Sequence, residues 1–122
     1  KTREQIAGKR FTVRQGDVLI QAIKELPKEA KLTKVTESRI ILEHGELTGH
    51  AHFVQKGQAN LYETAEQKFL AVEFGQSPIV MHDEHDSITL PAPTKEGEVN
   101  YFAVKRQREY DYANDMERVV RD

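Results

Sequence analysis

Arg39-Ile40-Ile41-Leu42-Glu43-His44 and His50-Ala51-His52-Phe53-Val54-Gln55, joined by Gly45-Glu46-Leu47-Thr48-Gly49, decide how this chain is read. The first run alternates, with Ile40, Leu42 and His44 on one face and Arg39, Ile41 and Glu43 on the other. The last run places His50, His52 and Val54 together. A connection with glycine at each end then makes the whole stretch a β-hairpin. With Ile40, Leu42 and Val54 turned inward, His44, His50 and His52 line the inner face at the mouth of the fold. Phe53, large and apolar on the opposite face, argues that both faces are covered.

Working outward, Phe11–Val13 and Asp17–Ile23 read as strands separated by the Gln15-Gly16-Asp17 turn. Pro27 breaks the chain after Leu26, and residues 32–36 form a short strand. Beyond the hairpin, residues 59–64 and 68–74 are strands joined at Ala65-Glu66-Gln67. A turn at Gly75–Pro78 leads to Ile79-Val80-Met81 and then to a second histidine cluster, His82-Asp83-Glu84-His85. Residues 87–90 form a strand ending at Pro91, residues 91–98 a loop, and residues 99–110 a long strand. Asn114 is placed to cap a short C-terminal helix over residues 114–120. About eight short strands with little helix predict an all-β fold, a small antiparallel β-barrel or sandwich. Residues 1–10 read as a polar N-terminal arm and 11–122 as a single β domain.

Composition narrows the function. The chain has 122 residues, no cysteine and a formal net charge of −2 from 18 basic and 20 acidic residues. The length suits one core that needs no disulfide or structural metal to stand. The charge balance gives no global attraction to nucleic acid or to an anionic membrane. Lack of cysteine excludes thiolate metal sites and thiol nucleophiles and is compatible with a cytoplasmic setting. No apolar run approaches the roughly 20 residues of a membrane-spanning helix. Phosphate-binding glycine loops, nucleophile elbows and His-Glu-x-x-His helices are absent from the sequence.

All five histidines fall into the two clusters. His50 and His52, two apart on one strand, stand about 7 Å apart along the backbone and can reach one ion. His44 can supply a third nitrogen across the turn, and His82 or His85 a further one if their loop folds over. An all-nitrogen set suits a divalent transition metal such as Zn, Fe, Ni or Mn, with Cu also compatible. Glu46 is then the general base for a metal-bound water. Asp83, Glu84 and Asp86 are placed to orient imidazoles. Arg106 and Arg108, sharing a strand face with Tyr110, can hold an anionic group or lock the site by pairing with its acids. Each histidine also has a plainer reading as a turn cap or backbone partner. The arginines have one as a solvated strand with cross-strand ion pairs.

His44-Gly45-Glu46-x-Thr48-Gly49-His50-x-His52, with Arg106-Gln107-Arg108-Glu109-Tyr110 and the earlier Gln15-Gly16-Asp17-Val18, resembles a group of small uncharacterised bacterial and phage proteins. The resemblance covers roughly residues 14–112. It implies a bacterial or phage source and brings no activity with it. His50-x-His52 on a strand also resembles the first metal motif of cupins, which implies a cupin-like barrel. The match departs where a cupin has a glutamate four or five residues after the second histidine, since Lys56 and Gly57 stand there.

The sequence thus supports a metal-binding β domain, with metal-assisted hydrolysis or related chemistry on a small polar or anionic substrate. A non-enzymatic phage or mobile-element accessory module that binds a protein partner is the alternative. Nucleic-acid binding through the Lys105–Tyr110 strand ranks below both. These readings separate on geometry. The first needs His44, His50 and His52 to converge on one point with an open coordination position and Glu46 within a water's reach, the second diverging histidines with an exposed apolar patch or open strand edge, and the third Arg106 and Arg108 exposed within a positive stripe.

Overall fold

The structure, a computed structural model, describes residues 11–44 and 51–106. The stretches expected to form an N-terminal arm (1–10), the hairpin connection (45–49, Glu46 included) and a C-terminal helix (114–120) lie outside the described residues, as do His50 and Arg108.

Among the described residues ten strands are formed: β1 (Thr12–Gln15), β2 (Val18–Ile23), β3 (Lys31–Leu32), β4 (Arg39–His44), β5 (Ala51–Gln55), β6 (Asn60–Glu63), β7 (Lys68–Glu73), β8 (Ile79–His82), β9 (His85–Thr89) and β10 (Val99–Arg106). They build two antiparallel sheets, one in the order β1-β2-β10-β7-β6-β3 and one in the order β4-β5-β8-β9. The expected all-β class holds. The sheets do not close into a barrel, and the arrangement is sandwich-like. Among the described residues there is no helix, and none long and apolar enough to cross a membrane.

The core follows from strand alternation. Val18, Ile20 and Ala22 on β2 and Phe102 and Val104 on β10 are buried from the six-stranded sheet. Ile40, Leu42, Val54 and Val80 are buried from the other and join the same cluster. Each fully buried side chain of this size contributes roughly 1.5–3 kcal/mol. The interior of β7 is buried on both faces, with Phe69 and Ala71 alternating with Leu70 and Val72. Phe53 is half-buried beneath the Arg39 guanidinium, 4.6 Å from its ring centre. Its aromatic face is thus covered by a cation.

Two departures from simple alternation shape the site. The β4–β5 register shifts between Ile41 and Glu43, so that Glu43 stands opposite His52 and His44 opposite Ala51. A bulge of this kind re-aims a side chain. Paired residues share a sheet face, so Glu43 lies on the His52 side, not the outer face that strict alternation gives. The second departure concerns the later histidines. His82 and His85 are cross-strand partners at the ends of β8 and β9, joined by Asp83-Glu84. They belong to a tight hairpin rather than a loop, with a second register shift between Val80 and His82.

Several boundaries also differ from the sequence pattern; β1, for example, runs to Gln15, where the strand was expected to end at Val13. The strand expected over 32–36 is reduced to Lys31–Leu32. Past it, Thr33 still bonds Leu61 O and Glu63, but no regular pairing continues. The β8–β9 hairpin takes in residues from 85 where a strand from 87 was expected.

Candidate histidine site

His52 is the centre of the site. It occupies an inward position of β5, between Val54 and the mouth, and is only 3% exposed. The β8–β9 hairpin brings two more rings against it. Ring centres are 4.3 Å apart for His52 and His82, 4.7 Å for His82 and His85, and 6.1 Å for His52 and His85. Three of the five sequence candidates therefore converge. His44 is placed by backbone pairing only, and His50 lies outside the described residues.

Gln15 holds this centre from the opposite sheet. It ends β1 at an inward position continuing Val13, where an apolar residue is expected, and is 2% exposed. Its Nε2 donates to Val80 O at 3.1 Å and to Asp86 O at 2.8 Å. His52 Nδ1 is hydrogen-bonded with Gln15 Oε1 at 2.8 Å. All three bonds run between sheets, so one amide joins β1 to β5, β8 and β9. A polar group this deeply buried is tolerated because its hydrogen bonds are made.

The turn after Gln15 delivers a carboxylate. Gly16 takes a positive φ of 62° while Asp17 does not, the pattern of a II′ hairpin with glycine first. Asp17 Oδ1 then lies 3.4 Å from His52 Nε2. Its other oxygen is 3.5 Å from Arg106 Nε, and Arg106 Nη1 is 3.6 Å from Glu43 Oε1. Arg106, at the end of β10, is thus flanked by two acids. Pairing of Arg106 with acids beside the site was one of its expected roles, and Asp17 and Glu43 are two such acids.

Burial lowers the His52 pKa below its ordinary 6.5, and His82 lowers it further, with a smaller contribution from His85. Asp17 acts in the opposite direction through charge and hydrogen bonding without reversing the outcome. The neutral ring is therefore favoured, which is the form that ligates metals and accepts protons. Glu84 N–H donates to His82 Nδ1 at 3.0 Å, so this acid meets the cluster through its backbone. Asp86 likewise contributes its carbonyl, to Gln15.

Among the described residues, no three His, Asp or Glu side chains are arranged as ligands of one ion. A groove of about 630 Å³ adjoins the site through Glu43 and Arg106 and runs past Glu63, Glu66, Lys68 and Lys105. Its size falls in the range of small-molecule sites.

Sequence reasoning missed Gln15, Asp17 and Glu43 as site residues. Gln15 had a readable signal, a polar side chain two residues after Val13 and so on the same strand face. Asp17 read as a turn residue, and Glu43 depended on a bulge that no residue pattern announces.

Residues 14–94 match a family model described as a domain of unknown function (DUF8820). The match takes in Gln15, Asp17, Glu43, His52, His82 and His85, but not Lys105 or Arg106. No curated protein and no solved structure matches the chain.

Proposed function

The chain belongs to the DUF8820 family, and we propose that it binds a divalent transition-metal ion at the histidine cluster and uses it for hydrolysis or related chemistry on a small polar substrate. The observation that carries this reading is the spacing of His52, His82 and His85. With metal–nitrogen bonds of about 2.0–2.1 Å and tetrahedral angles, ligating imidazoles have ring centres about 5 Å apart. Separations of 4.3, 4.7 and 6.1 Å bracket that value. Ligation requires the rings to turn about their side-chain bonds. His82 is partly exposed and His85 exposed; turning them means giving up the Glu84 N–H bond to His82 Nδ1 or moving His85 from its contact with Gly16.

Zn, Fe, Ni and Mn are all compatible with such a donor set. Glu46 as general base and His50 as a further ligand belong to the same reading on sequence grounds; His44, expected as a ligand too, pairs with Ala51 past the register shift rather than with His52. The charged groove beside Glu43 and Arg106 is the place for a polar substrate, with Arg106 and Arg108 as its anion-binding residues. A cytoplasmic setting and a bacterial or phage source complete the proposal. The rings that support it over an interaction module are His52, His82 and His85, not the His44, His50 and His52 set expected to converge, of which His50 lies outside the described residues. The acids flanking Arg106 weigh against a positive stripe for nucleic acid.

The test is metal content in protein purified without a His tag or chelator. Near-stoichiometric metal in the wild type, lost in His52→Ala, is the expected result. Absence of metal even after incubation with Zn, Fe, Ni and Mn would overturn the reading.

A further inference from the structure

We infer that Gln15 is a positioning residue that fixes which nitrogen of His52 is available for chemistry. Val80 O and Asp86 O can only accept, so the Gln15 atom facing both must be the amide nitrogen. Its remaining atom, Oε1, can only accept, so the His52 nitrogen at 2.8 Å must carry the hydrogen. Neutral His52 therefore has its proton on Nδ1 and a lone pair on Nε2.

That lone pair faces Asp17 Oδ1 at 3.4 Å. Two acceptors face each other there, an arrangement relieved by a cation between them. Asp17 is thus a carboxylate partner of His52 Nε2 in whatever cation the site takes. Without Gln15 the ring is free to place its hydrogen on Nε2, toward Asp17, and to close that position with a direct bond. Metal-ligating histidines are commonly held in one tautomer by a partner on the other nitrogen. Gln15 has that role here, and it acts from a different sheet.

The inference concerns metal-free protein first and rests on the metal reading only in its last arm. Long-range nitrogen–proton NMR of 15N-labelled protein, at about pH 8.5 and with chelator, reports the protonated nitrogen directly, above the ordinary imidazole range. Wild-type His52 is expected as the Nδ1–H form. Gln15→Leu, which removes the acceptor, is expected to raise the Nε2–H population. Gln15→Glu keeps an acceptor for Nδ1–H and loses the donors to Val80 O and Asp86 O. It should keep the Nδ1–H form while losing stability, which separates positioning from structural support.

An Nε2–H His52 in the wild type overturns the inference, as does an Nδ1–H form that persists in Gln15→Leu. Loss of the Nδ1–H form in a folded Gln15→Glu overturns it as well. In the last arm, added Zn²⁺ should bind Gln15→Leu roughly 10- to 100-fold more weakly than wild type. If wild type shows the Nδ1–H form and binds no Zn²⁺, the metal proposal fails and the positioning role stands.

Discussion

Gly16 and His85 are packed so closely that a Cβ on Gly16 would lie 2.6 Å from His85 Nε2. The β1–β2 turn of one sheet and the β8–β9 hairpin of the other meet there. Gly16 also has a φ of 62°, where an L side chain is strained. Both facts set the outcome of Gly16→Ala. It should lower stability by about 1–2 kcal/mol from backbone strain and push the exposed His85 ring away from the cluster. Denaturant unfolding measures the first, and the His85 imidazole resonances the second. Unchanged values for both would refute the close approach.

Stability should fall on acidification in protein kept free of metal. The folded His52 pKa lies below its ordinary 6.5, with burial as the first cause. The unfolded state therefore takes up a proton at a pH where the folded state resists it. The His52 contribution is complete above about pH 6.5 and is lost as pH falls to the lowered folded value. One such group gives at most about 1.4 kcal/mol per pH unit. Urea unfolding across pH 5 to 8 checks this. His52→Gln should flatten that part of the profile, and an unaltered slope would assign it to other groups.

Metal affinity should depend unequally on the three rings. His52 is buried and fixed by Gln15, whereas His85 is exposed at a hairpin end. His52→Ala should abolish stoichiometric Zn²⁺ binding. His82→Ala and His85→Ala should each weaken it by more than the 10- to 100-fold typical of an outer partner. Calorimetric titration of the three variants reads the order. Equal, small losses would place the ion elsewhere.

Arg106→Gln distinguishes a locking arginine from an anion receptor. Its contacts to Asp17 and Glu43 are 3.5 and 3.6 Å, and all three side chains are partly exposed. Stability should therefore change by less than about 1 kcal/mol. Removing the positive charge beside Asp17 should tighten Zn²⁺ binding, an effect that weakens with added salt. Weaker Zn²⁺ binding together with loss of inorganic phosphate binding would instead assign Arg106 to the substrate.

Much of this molecule was legible from residue pattern. Alternation in Arg39–His44 and in the residues leading to Gln55 is a local property of a half-buried strand, so β4, β5 and the inward aim of His52 followed from the sequence. Turn residues marked the strand ends for the same reason, because glycine and proline act on their own backbone. The concentration of histidine into two short segments pointed to the site. Only the tertiary structure decided how the segments meet. Closure of the sheets into a sandwich-like pair rather than a barrel depends on pairing between distant strands. The same long-range pairing brings His82 and His85 onto His52, and Gln15 and Asp17 onto it from the opposite sheet. The bulge at Glu43 is likewise a property of two strands in register and not of either alone. A residue's own neighbours in sequence set the face it presents, and what stands across from that face is set by the packing of the whole chain.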